Sequence, residues 1–274
     1  MIKDILKKVK NLKPTERSLF VNAEFEKIKS QHKIPVINEN KVLFFYKGFG
    51  NKIQITGDFT SWVSRIDFKK IQDTDLYYLE MNFPLDARLD YKIIVDDQSI
   101  LDPLNDNRVS GGFGDNSFFS LKNYKLNAYS IYDESAPKGR FVSHSFYSNF
   151  LKEERSFKVY LPPNYNSDRK YKTVYFQDGN EYIYLAQAGV TFDNLIHNKL
   201  IDDTVAVFVE PNIRHLDYLF NPDYTDFFVK EVINFTENSY SVSRNMEDRF
   251  IAGDSLGGLI SAYIIYRYPG YFNG

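Results

Sequence analysis

No cysteine occurs among the 274 residues, which excludes disulfides, a thiol nucleophile and a zinc–thiolate centre together. Histidine is scarce, and His32, His144, His197 and His215 are scattered without carboxylates at ligand spacing, so neither a metal nor a cofactor is expected. No apolar run is long enough to span a bilayer, and Met1–Lys8 carries lysines where a secretory signal needs continuous apolar residues. The expectation is a cytoplasmic protein without a membrane partner. An excess of one charge is missing too. The formal net charge is -2, which argues against a nucleic-acid partner, although Lys7, Lys8, Lys10 and Lys13 make one helix face basic.

What the chain does have is aromatic side chains, at 17%, chiefly tyrosine and phenylalanine, within 43% hydrophobic content. That suits strand-rich cores, and equally the binding of sugars or aryl esters. The spacing predicts helices over residues 1–31, broken at Lys13-Pro14, with Thr15 as N-cap of the second. Together with the residues up to 37 they read as a packing arm. Short strands follow at Lys41–Tyr46, Lys52–Thr56, Tyr77–Phe83, Tyr91–Val95 and Ser117–Leu121, so residues 38–122 are expected to form a β-sandwich. Residues 123–138 lose periodicity and read as a linker. Strands at 139–147, 155–161, 173–177 and 204–210 then alternate with helices near 183–198 and 224–240. This order predicts a doubly wound parallel sheet over 139–274.

The run Arg249–Ser261 reads as a buried strand, a tight turn and an apolar helix, with Ser255 at the apex. A serine between a strand end and a helix start takes up strained backbone geometry that lifts its hydroxyl out of the sheet. Gly253 and Gly257, two positions to either side, remove the β-carbons that would collide there, and Gly258 lets the helix pack closely. The helix start also directs unpaired N–H groups at any developing oxyanion. A bare Gly-x-Ser-x-Gly match is weak, but its strand–turn–helix setting points to a nucleophile.

Two sets of residues carry family resemblances. Gly57-Asp58-Phe59-Thr60-Ser61-Trp62, Tyr91–Asp97 and Asp102-Pro103 resemble the early-set, immunoglobulin-like sandwich of glycogen-binding modules and of the enterochelin-esterase N-terminal domain. In the sugar-binding members two tryptophans and a lysine form the platform. Trp62 and Lys92 stand at two of those positions, while Gln98-Ser99 occupies the third. That leaves either a weak glycan contact through Trp62 and Lys92, or Trp62 as a core or interdomain anchor.

The second set is Phe157–Tyr165, Gln177-Asp178-Gly179, Arg214 with Asp217-Tyr218, and Gly253–Gly258. It resembles the esterase branch of α/β-hydrolases that includes enterochelin esterases, S-formylglutathione hydrolases, feruloyl esterases and mycolyltransferases. The enterochelin-esterase-like group is nearest overall. The resemblance implies a small-molecule ester substrate, Ser255 as the acylated nucleophile, and the backbone N–H groups of Leu256 and Asn180 as oxyanion donors. It makes Asp178 and Arg214 candidate substrate contacts, with a surface ion pair as the alternative. It also implies the chain order Ser, acid, His, whereas only Pro269–Gly274 follow the elbow helix. The hydrolase sheet is therefore expected to be partial, with the acid and base absent, the elbow strand left as an open edge, and the chain the front part of a longer hydrolase. His215, in the loop after the fourth strand of this half, is the one histidine on the correct edge to replace the base. A noncatalytic glycan- or partner-binding protein on a hydrolase-like scaffold is the rival reading, and acyl transfer to an acceptor other than water is a third.

Overall fold

A computed structural model describes residues 1–274, in which Met1–Lys125 and Leu126–Gly274 form two units. The first begins with helices α1 (Ile2–Val9) and α2 (Pro14–Gln31). Pro14 takes the first helical position of α2, where its missing N–H costs nothing. The cap is thus Lys13 and not Thr15, and the Glu16 carboxylate reaches back to accept from the Lys13 amide at 3.2 Å.

Strands β1 (Val36–Asn38), β2 (Lys41–Lys47), β3 (Ile53–Gly57), β4 (Ile66–Asp67), β5 (Lys69–Lys70) and β6 (Leu76–Asn82) follow, then β7 (Arg88–Val95), β8 (Gln98–Ile100), β9 (Arg108–Gly111) and β10 (Gly114–Ser120). They make two antiparallel sheets, ordered β1-β2-β6-β5 and β4-β3-β7-β10-β9, with β8 also paired to β7. Strand β2 shows why there are three layers. Val42, Phe44 and Tyr46 face the core shared with Ile55, Tyr91, Ile93 and Phe119 of the other sheet. Leu43 and Phe45, on the opposite face of the pleat, pack with Ile5, Val21, Phe25 and Ile28 of the helices. The helical arm thus closes the outer face of the first sheet.

The second unit holds a five-stranded sheet ordered β11-β12-β14-β13-β15, comprising Arg140–Ser148, Glu153–Leu161, Thr204–Val209, Lys172–Phe176 and Arg249–Ala252 in that spatial order. Only β14, β13 and β15 are parallel; β11, β12 and β14 pair antiparallel. The expected parallel sheet is therefore corrected to a mixed one. The reason is the connection 149–152, a turn too short for a parallel crossover, which needs a dozen or more residues. Within the second unit, Asn194 Nδ2 donates to the carbonyls of Tyr129 and Ile131 at 2.8 and 2.7 Å.

Helices lie on both faces of this sheet. Ala206 and Phe208 of β14 pack toward α3 (Gly179–Tyr184) and α4 (Ala188–His197). Val205, Val207 and Val209 pack toward the other side, with α5 (Arg214–Tyr218), α6 (Pro222–Phe227) and α8 (Leu256–Arg267). The long helix expected over 183–198 is two helices, separated where Gln187 takes a left-handed conformation, φ 54°. The one expected over 224–240 runs from α6 through a π-helical turn, Phe228–Ile233, into α7 (Asn234–Ser239). At the chain end, the Asn273 amide donates to Arg249 O and the Ile251 amide to Gly274 O, each at 2.9 Å. The outer edge of β15, expected to be bare, is paired at those two points. No helix is long and apolar enough to cross a membrane.

Candidate active site

The ends of three strands define one edge. Phe176 of β13 is level with Phe208 of β14 and with Ala252 of β15, and the Gln177 amide donates to Ala252 O at 2.9 Å. The residues just beyond, 177–180, 210–214 and 253–256, therefore emerge together at the carboxyl end of the parallel strands, where ligands bind in such sheets.

Ser255 is exposed at the apex of the turn, with φ 54° and ψ −117°. A side chain at positive φ outside the ordinary left-handed well stores strain of about 1–3 kcal/mol, held in place by its surroundings. Its side chain does not cap α8, so the hydroxyl is not consumed by the helix it precedes. The restraint comes from packing. A β-carbon on Gly253 would fall 2.3 Å from the carbonyl carbon and oxygen of Gly257, and one on Gly257 would fall 2.6 Å from Asp178 Oδ2. Leu256, the first residue of α8, directs its amide out of the helix start, where no intrahelical acceptor exists.

Asp178 and Arg214 meet, but they meet each other. Arg214 Nε donates to Asp178 Oδ1 at 2.7 Å and Nη2 to Oδ2 at 2.9 Å, while Nη2 also reaches Asp254 O at 3.2 Å. Asp178 is only 3% exposed, so the expected substrate contact is corrected: both its oxygens are occupied and covered. The pair is a strut joining the loops after β13, β14 and β15. The carboxylate beside it holds the Arg214 guanidinium above its ordinary range. Two tyrosines brace the same turn. The Asp178 amide donates to Tyr218 Oη at 2.9 Å, and Tyr224 Oη donates to Gln177 Oε1 at 2.6 Å. Burial raises the pKa of both phenols.

Asn180 also lies on this edge, with its amide committed. It donates to Glu210 Oε2 at 2.8 Å, and its side-chain oxygen accepts from Lys158 Nζ at 2.8 Å. The close approach is forced, since a β-carbon on Gly179 would lie 2.6 Å from the Phe208 carbonyl carbon. Glu210 was not visible as a site residue in the sequence, where it reads as a strand-end carboxylate. Its pKa is raised first by burial, then by the nearby charges of Asp178 and Glu181, against the opposing hydrogen bond from Asn180.

Beneath the loop that carries Arg214, the fully buried Arg155 donates to Asp217 Oδ2 at 2.8 Å and to Glu210 O at 3.1 Å. Asp217 Oδ2 also accepts from the Asn212 amide at 2.9 Å. The histidines are dispersed. His144 Nε2 bonds Tyr240 Oη at 2.5 Å on β11, His197 ends α4, His32 follows α2, and His215 is exposed on α5 next to Arg214. In the first unit, Trp62 is 41% exposed and its Nε1 donates to Asp58 Oδ1 at 2.8 Å. The reading of Trp62 as a core residue is corrected accordingly. Lys92 lies on β7, opposite Thr56 of β3.

Comparison with known proteins places this arrangement. The fold is that of the enterobactin esterases. The Shigella flexneri enterobactin esterase FES, solved in the presence of enterobactin, superposes with a TM-score of 0.69 at 16% identity, covering 85% of this chain and 69% of that one. The Salmonella typhimurium ferric enterobactin esterase superposes with a TM-score of 0.70 at the same identity and coverage. Residues 148–274 match the family described as "Putative esterase". Among curated sequences, the uncharacterized protein YjcH of Bacillus subtilis (strain 168) is 30% identical over 145 residues, 50% of this chain and 60% of its own length. YbbA of the same organism is 29% identical over 136 residues, 43% of this chain and 53% of its own. The chain thus spans little more than half the length of these relatives.

Proposed function

We propose that the protein is a serine ester hydrolase of the enterochelin-esterase-like group. The observation that carries this reading is Ser255, exposed and strained on a glycine-packed turn at the start of α8. Ser255 Oγ attacks the ester carbonyl, forming the Oγ–C bond, and the amides of Leu256 and Asn180 hold the oxyanion. Collapse of the tetrahedral intermediate expels the alcohol, which leaves with the proton taken from Ser255. Water then cleaves the acyl-serine. The base that carries the proton, and the carboxylate that orients it, are assigned to no residue of Met1–Gly274 in this reading.

The Asp178–Arg214 strut supports the assignment as a positioning device, because it ties the loop that carries Asn180 to the nucleophile turn through Asp254 O. The test is hydrolysis of p-nitrophenyl acetate, and then of enterobactin, by the full-length protein. Ser255→Ala is expected to lose at least about a thousandfold in kcat. A Ser255→Ala variant that keeps its rate sinks the proposal. A second reading, weak glycan contact through Trp62 and Lys92 on an early-set, immunoglobulin-like sandwich, is favoured by the exposed Trp62 ring. Titration with maltoheptaose, followed through this single tryptophan, tests it, and a flat titration removes it.

A further inference from the structure

Asn180 is asked to donate to an oxyanion, yet its amide already donates to a carboxylate 2.8 Å away. Both cannot be served at full strength by one N–H, and a carboxylate at that position repels the negative charge that develops during acylation. We infer that Glu210 is a gate on the second oxyanion donor: it holds the Asn180 amide in the resting protein and must yield that bond when substrate binds. This rests on the reading of Ser255 as the nucleophile.

Four features of the structure support a bond built to be given up. First, Glu210 is half-buried and forms no ion pair, although Arg155 and Lys158 lie close by. Arg155 spends its guanidinium on Asp217, Glu153 and the Glu210 main-chain carbonyl. Lys158 Nζ is held by Asn180 Oδ1 and, at 3.0 Å, by Tyr184 Oη. Second, the charges that bear on the Glu210 carboxylate, those of Asp178 and Glu181, have its own sign. Third, the packing of Gly179 on the Phe208 carbonyl fixes the Asn180 amide at this spot independently of Glu210, so release of the carboxylate leaves the donor in place. Fourth, Lys158 anchors the Asn180 side chain from the other side, which again keeps the donor positioned when the carboxylate leaves. Glu210 is thus a positioning residue that acts through Asn180.

The test compares the rate at which a fluorophosphonate labels Ser255 in the full-length wild type, in Glu210→Gln and in Glu210→Ala. It is paired with the amide proton shift of Asn180 in nitrogen-labelled protein. Glu210→Gln keeps the shape and removes the charge. A gate predicts labelling roughly three- to tenfold faster in Glu210→Gln, faster again in Glu210→Ala, and an upfield move of the Asn180 amide in both. A residue that merely tethers the loop predicts the opposite, slower or unchanged labelling, and that result overturns the gate. Labelling of wild type with no gain in either variant condemns the gate alone. If no protein is labelled, the nucleophile reading fails, and the gate falls with it. Circular dichroism of each variant confirms that the comparison is between folded proteins.

Discussion

Three glycines surround Ser255, and the structure ranks what an added methyl group would do at each. In Gly253→Ala the new β-carbon would lie 2.3 Å from both the carbonyl carbon and oxygen of Gly257 and 2.8 Å from the Gly258 nitrogen. These are backbone atoms of the first turn of α8, so no rotamer change relieves the clash, and the helix must move away from β15. Overpacking of this kind costs about 1–3 kcal/mol, and the upper end or more is expected here. In Gly257→Ala the β-carbon would meet Asp178 Oδ2 at 2.6 Å, a side-chain atom that Arg214 pins. Set against about 1 kcal/mol gained from placing alanine in a helix, the net loss should be about 1–2 kcal/mol. In Gly258→Ala the nearest atom is Gly253 O at 3.1 Å, so the helical gain and the small displacement should nearly cancel. Urea unfolding of the three variants, followed by far-ultraviolet circular dichroism, should therefore give losses in the order 253, 257, 258. A Gly253→Ala protein as stable as Gly258→Ala would refute the reasoning, because it would mean that α8 does not rest on this turn.

Three further outcomes are expected. Asp217→Ala takes from the buried Arg155 its one buried carboxylate, leaving only the partly exposed Glu153, and should destabilise the protein by about 3 kcal/mol, with the Arg155→Met/Asp217→Ala double variant losing less than the sum; additive losses in urea unfolding would contradict the pairing. His144 has its pKa lowered from 6.5 by burial, so the unfolded chain takes up the proton first. Stability should be constant above about pH 7 and fall as pH drops through 6.5 toward the folded value. The melting temperature should accordingly be lower at pH 5.5 than at 7.5, by a difference that His144→Gln reduces. Trp62 should emit as a solvent-exposed indole and be readily quenched by acrylamide, whereas a blue-shifted, protected emission would mean the ring is packed away.

The elbow was legible because its geometry is local: a strand, three glycines and an apolar helix, all within Arg249–Arg267. The strands of the first unit were legible for the same reason, through their alternation. Hidden in the sequence were relations between distant residues. Arg155 meets Asp217, Asp178 meets Arg214, and Glu210 reaches Asn180 only because Phe176, Phe208 and Ala252 come level in the sheet. Asp178 and Arg214 were correctly placed on one edge, yet nothing in their spacing said that each satisfies the other. The hairpin of β11 and β12 could have been read from the short turn at 149–152, a length that only an antiparallel pair accepts. The break at Gln187 had no glycine or proline to announce it.

The proposed chemistry depends on Ser255 being a nucleophile, and the most direct measurement is peptide mapping by mass spectrometry after fluorophosphonate treatment of the protein. The expected result is one adduct, on the peptide containing Ser255, and none on Ser255→Ala. An adduct elsewhere, or ester hydrolysis by a protein whose Ser255 stays unmodified, would contradict it.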